Sequence, residues 1–202
     1  MLPETLRVPF LRRLSLHGIG LPKGLSLLSS MIALSVLSLT HIQYSCYFPP
    51  GHLIIQLQGL PCLEELSIGF VIPIPLPSSE GGLLPTPIQP VTLPTLRWLK
   101  FRGVSVYLDN LVAQINTPVL EQLSLTLLFK LVFTLVNLNK FIRRTERSEC
   151  PVARVIFNKD RASIDAGFGK FSLHVIVNCK PLAVRKCLPS SIAGCPLVSW
   201  VG

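Results

Sequence analysis

The chain has 202 residues, enough for one ordinary domain or for one stretch of a larger array. Hydrophobic residues make up 49% of it and charged residues 14%, which excludes a disordered charged tail, because disorder needs low hydrophobicity and high charge. Lys and Arg outnumber Asp and Glu by 19 to 10, and the excess is uneven: six cations against four anions in residues 1–100, thirteen against six in residues 101–202.

In chain order, the first predicted element is a strand at Leu11-Arg-Arg-Leu14-Ser-Leu16. Residues 23–30 are expected to make two helical turns. A second strand follows at Leu34-Ser-Val-Leu37-Ser-Leu39, then a helix over 51–58 behind Pro49-Pro50, since proline suits a helix start. Leu63-Glu-Glu-Leu66-Ser-Ile68 is the third strand. Residues 70–93 carry prolines at 73, 75, 77, 85, 87 and 90 around Ser78-Ser79-Glu80-Gly81-Gly82, and no regular element is expected where φ is fixed and donors are missing. That insertion is predicted to be a protruding loop. Leu96-Arg-Trp-Leu99-Lys-Phe101 is the fourth strand. Leu108, Leu111, Val112 and Ile115 recur at helical spacing and predict a helix over 106–116, stopped by Thr117-Pro118. Leu120-Glu-Gln-Leu123-Ser-Leu125 is the fifth strand, and a helix is predicted over 133–146. A weaker sixth copy stands at Pro151-Val-Ala-Arg-Val155-Ile-Phe157. Residues 171–177 read as a strand, and 180–202 show no repeat, so this end is expected to be truncated or unrelated to the array.

The five strands share one template, L-x-x-L-x-L-x-x-φ, with first leucines 23, 29, 33 and 24 residues apart. The φ positions are Ile19, Ile42, Val71, Val104 and Leu128, where leucine-rich repeats usually carry Asn or Cys, so less regular repeats are expected. Pro9, Pro61, Pro94 and Pro118 stand two residues before four of the five leucines. A lone short strand cannot bury its apolar side chains, whereas neighbours stacked in parallel can. The predicted fold is therefore α/β: an irregular leucine-rich-repeat solenoid, with a parallel sheet of short strands on its concave face and helices and loops on its convex face. The array is expected over 1–165, with the Pro-rich insertion at 70–93, followed by a strand and an irregular tail over 166–202.

Leu11-Arg-Arg-Leu-Ser-Leu-His-Gly-Ile19, Leu60-Pro-Cys-Leu-Glu-Glu-Leu-Ser-Ile68 and residues 104–121 (VSVYLDNLVAQINTPVLE) resemble the leucine-rich region of fungal F-box proteins over roughly residues 8–165. The resemblance implies the part of a ubiquitin-ligase subunit that selects a substrate. Only ten residues precede the first repeat, too few for a three-helix F-box. The expectation is a fragment of a longer protein, or a chain that no longer recruits a ligase; an adaptor would bind only through an F-box upstream.

Chemistry is sparse. No G-x-G-x-x-G, G-x-x-x-x-G-K-[ST], H-E-x-x-H or G-x-S-x-G motif occurs. Glu64 and Glu65 are adjacent on a strand, so their carboxylates face opposite ways. The histidines at 17, 41, 52 and 174 are scattered. No enzyme, cofactor or metal is expected. Cys46, Cys62, Cys150, Cys179, Cys187 and Cys195 form no C-x-x-C pair, and Met1-Leu-Pro-Glu4 opens no secretory signal, so reduced, mostly buried thiols in the cytoplasm or nucleus are expected. The uncharged stretch 25–39 falls short of the roughly 20 apolar residues a membrane span requires, and 123–138 carries Lys130 in its middle.

The third and fifth repeat positions point away from the core. They predict two columns on the concave side: Arg13, Val36, Glu65, Trp98, Gln122 and Ser15, Ser38, Ser67, Lys100, Ser124. Arg13, Glu65, Trp98, Lys100, Arg102 and Gln122 are the candidate contacts to a protein partner, since an exposed Trp between cations is typical of an interface hot spot. Lys140, Arg143, Arg144 and Arg147 form a basic cluster whose simplest account is a solvated helix face. The alternatives are a structural fragment without a specific ligand and a basic binder of nucleic acid or a membrane surface, against which the lack of interleaved aromatics weighs.

Overall fold

The computed structural model describes residues 8–19, 28, 30–71, 90–128, 136–145, 152–157, 161–168, 170–178 and 198–201. Strands β1 (Arg13–His17), β2 (Val36–Ile42), β3 (Glu65–Phe70), β5 (Trp98–Gly103) and β7 (Gln122–Leu127) are the five leucine segments. They lie side by side and parallel, in that order, with the template in register. Leu14 pairs with Leu37, Leu37 with Leu66, Leu66 with Leu99 and Leu99 with Leu123.

The proline in front of each leucine has a local cause. In every repeat the N–H of the first leucine bonds the carbonyl three residues back: Leu11 to Val8, Leu34 to Met31, Leu63 to Leu60, Leu96 to Leu93 and Leu120 to Thr117. These are β-turns, and the proline occupies their second position, where φ near −65° is required. Ile32 takes that place in the second repeat. A chain of backbone bonds then ties the strand starts together, from Ser35 to Arg12, Glu64 to Ser35, Arg97 to Glu64, Glu121 to Arg97 and Ser172 to Glu121.

The sheet continues past the repeats. Strands β8 (Val152–Phe157), β9 (Arg161–Phe168) and β10 (Phe171–Asn178) form an antiparallel meander, and β10 pairs in parallel with β7. The place beside the fifth repeat thus belongs to β10, not to the segment around Val155 expected there. Short connections fold 152–178 back on itself as hairpins, which parallel neighbours cannot do. The expected boundary at 165/166 falls inside β9. In the tail, β11 (Val198–Val201) pairs in parallel with β8. The result is one open nine-stranded α/β sheet, ordered β1-β2-β3-β5-β7-β10-β9-β8-β11.

Three helices are described: α1 (Pro50–Leu57), α2 (Ser105–Val112) and α3 (Val136–Thr145). Pro50 opens α1, as the sequence suggests. The second helix stops short of the predicted 116. Gln114 N–H closes onto the Leu111 carbonyl, and Ile115–Asn116 (β6) pairs with Val91–Thr92 (β4). Thr117 precedes a proline and is disfavoured in the helical region, so the helix has no route onward past 116 either. The insertion predicted at 70–93 is accordingly shorter, since Phe70 ends β3 and residues 91–92 form β4; the Pro-Ser-Gly stretch lies outside the described residues, as does most of the 23–30 segment.

One sheet face is apolar and buried. Leu37, Leu39, Leu66, Ile68, Leu99, Phe101, Leu123 and Leu125 join Leu53, Ile54, Leu108, Leu111, Phe141 and Ile142 of the helices in a single core. Beyond the repeats, β10, β9 and β8 add Leu173, Val175, Ile164, Ala162 and Ala153 to it. At the C-terminal ends of β3 and β5, Tyr107 stacks on Phe101 and sits edge-on to Phe70, with ring centroids 5.8 and 4.8 Å apart. Gly103 leaves room for this cluster, since a Cβ there would stand 2.7 Å from the Phe101 ring. The φ positions divide. Ile42 and Leu128 are buried and Val104 packs against the core, while Ile19 and Val71 are exposed.

Candidate functional site

The opposite sheet face is polar, and its order follows from the register. One row runs Arg13, Val36, Glu65, Trp98, Gln122, Ser172. The next runs Ser15, Ser38, Ser67, Lys100, Ser124, His174, Asp165, Arg154. A third contains Gly69, Arg102, Thr126, Ile176 and Ser163, with His17 paired to Thr40 at its β1 end. All six candidate contact residues lie on this face. Arg13, Trp98, Lys100, Arg102 and Gln122 are exposed, and Glu65 is half-buried between Val36 and Trp98.

Strand β5 is the crest of the face. Trp98, Lys100 and Arg102 alternate along it, because side chains two apart share a face. Trp98 keeps 40% of its surface in solvent. Glu65 and Gln122 flank it across the strands, whereas the neighbours of Lys100 and Arg102 are small: Ser67 and Gly69 on β3, Ser124 and Thr126 on β7. The described ion pairs are Arg97 with Glu121 at 2.9 Å, on the rim, and His174 with Asp165. Among the described residues no ion pair engages Lys100 or Arg102, and both side chains are exposed.

His174, Asp165 and Arg154 join this face from strands that the five-copy template does not reach, and the sequence pattern did not place them there. Their signal is the alternation Ser172-Leu-His-Val-Ile-Val and Arg161-Ala-Ser-Ile-Asp-Ala, apolar at every second residue. It marks the strands but not their spatial order.

Ser124, His174 and Asp165 stand side by side on three neighbouring strands, and His174 Nδ1 is bonded to the Asp165 carboxylate. The order resembles a nucleophile, base and orienting acid. An acyl-transfer site also needs the hydroxyl on the ring and free N–H donors for the oxyanion. Among the described residues the His174 ring bonds Asp165 and not Ser124, and the strand N–H groups beside Ser124 take part in the sheet ladders. The row is a polar surface on which Ser124, His174 and Asp165 are neighbours.

No family model, curated protein or solved structure matches this chain.

Among the described residues no three His, Cys, Asp or Glu side chains gather as metal ligands, and no helix is long and apolar enough to cross a membrane. The His17 and His41 rings meet at a tilt of 35°, with centroids 4.0 Å apart. His41 adopts a left-handed φ of 54° at a bulge in β2, a conformation histidine tolerates better than most residues. Cys46 is half-buried and its thiol meets the Gly18 carbonyl, while Cys62 is exposed in its turn. The remaining four cysteines lie outside the described residues.

Proposed function

We propose that this chain is a non-enzymatic protein-binding module, an irregular leucine-rich-repeat array that holds its partner on the polar face of the sheet. One observation carries the reading: a parallel sheet in register is covered by helices on one face and presents small hydroxyls, Trp98 and unpaired cations on the other. Parallel sheets are normally covered on both faces. A half-covered one with a flat, polar floor suits an incoming chain. Joined to the resemblance of residues 60–68 and 104–121 to fungal F-box proteins, this makes substrate selection for a ubiquitin ligase the specific form of the proposal.

Site-specific photo-crosslinking tests it. A photoreactive residue at Ser67 or Ser124 is expected to capture a discrete set of proteins that one at Ile55, exposed on α1, does not. Trp98→Ala together with Lys100→Glu should abolish that set. Equal capture from both faces, or capture from α1 alone, overturns the assignment.

A further inference from the structure

Building on that assignment, we propose that the occupant of the polar face is an extended acidic segment of a partner protein, lying across the strands and anchored at β5 by Lys100 and Arg102. Three observations support the choice.

The first is charge. Arg13, Lys100, Arg102 and Arg154 are exposed on this face, against the carboxylates of Glu65 and Asp165. Asp165 is already bonded to His174, and among the described residues no carboxylate meets Lys100 or Arg102. Across the strands their neighbours are hydroxyls and a glycine, which leave the ammonium and guanidinium groups free to take carboxylates. A guanidinium binds a carboxylate through two parallel hydrogen bonds.

The second is size. Nine strands spaced about 4.8 Å apart make a face about 38 Å wide, and the three alternate positions on β1, β3, β5 and β7 make it about 14 Å deep there. A strip of that shape matches one extended chain of about twelve residues.

The third is relief. Ser67, Ser124 and Thr126 are small and half-buried beside Lys100 and Arg102, so a backbone reaches the sheet there without displacing a large side chain. Trp98 then offers an aromatic surface beside the anchored carboxylates.

The test uses the full chain and a fluorescein-labelled (Glu-Gly)6 peptide, with (Gln-Gly)6, (Lys-Gly)6 and a twelve-nucleotide oligothymidine as comparisons, read by anisotropy. The acidic peptide is expected to bind and to weaken as salt rises, because exposed charges are screened. Lys100→Glu with Arg102→Glu should cost about tenfold or more in affinity. Arg143→Glu with Arg144→Glu, the same charge change on exposed α3 residues, should cost less than about twofold. Bound peptide should also alter the emission of Trp98, a signal that Trp98→Phe removes. Equal losses in both double variants, equal binding of (Gln-Gly)6, no binding, or tighter binding of oligothymidine overturns the proposal. The crosslinking experiment separates the two ideas: capture at Ser67 and Ser124 without peptide binding removes the acidic partner and leaves the module.

Discussion

Thr117 occupies a position that the other repeats give to an apolar side chain. It is the first residue of the fifth turn, where Val8, Met31, Leu60 and Leu93 stand in the others, and its buried Oγ1 has no hydrogen-bond partner. A buried hydroxyl left unpaired costs about 1–3 kcal/mol. Thr117→Val keeps the shape and removes the donor, so chemical denaturation should show a gain of about 1 kcal/mol. Tyr107 has the same defect with a pH signature. Its hydroxyl is buried without a partner, and burial, reinforced by Tyr47, raises its pKa well above the usual 10.0. The folded chain therefore holds this proton where the unfolded chain releases it. Stability contributed this way is complete below pH 10.0 and declines as pH rises beyond it. Unfolding measured across that range should show the decline in the native chain and a shallower one in Tyr107→Phe. An identical slope in both would remove Tyr107 as its source.

At the scale of elements, α3 depends on a residue of α2. Its first turn has no acidic residue of its own. Instead the Asp109 carboxylate accepts from the N–H groups of Asn137 and Leu138 and from the Asn137 side chain, at 3.0, 2.9 and 2.9 Å. A carboxylate at a helix start satisfies free N–H groups and complements the dipole. Asp109→Ala should therefore destabilise by about 1–2 kcal/mol, with amide exchange accelerated first at residues 137 and 138. Exchange unchanged there would show that packing alone holds α3. No sequence pattern announces this cap, because the two partners are 28 residues apart. The same limit explains the helix predicted over 106–116. Ile115 fits helical spacing and is buried as expected, but it is buried as a strand, because the chain brings Val91 and Thr92 alongside. Local periodicity reports which residues face inward; it does not report the element that meets them.

Across the whole molecule, the repeat legible in the sequence placed Arg13, Glu65, Trp98, Lys100, Arg102 and Gln122 on one face, because a shared template fixes both register and the alternation of faces. What lay beyond it was the meander, whose strands enter the sheet in the reverse of their chain order. No template links Ser172 to Gln122; their pairing comes from β10 finding the free edge of β7, where Leu173 lies beside Leu123. An unpaired edge of this length would leave a row of backbone groups open to other chains, so the meander protects the array as well as extending its face. It follows that residues on either side of 165 share one cooperative core. Leu173→Ala, which empties a buried position on β10, should cost about 2–5 kcal/mol and accelerate amide exchange in β7 and β5 as well as in β10. Were β5 and β7 to keep their protection while β10 lost its own, the repeats and the meander would be separate folding units, and the polar face would end at Gln122 and Ser124.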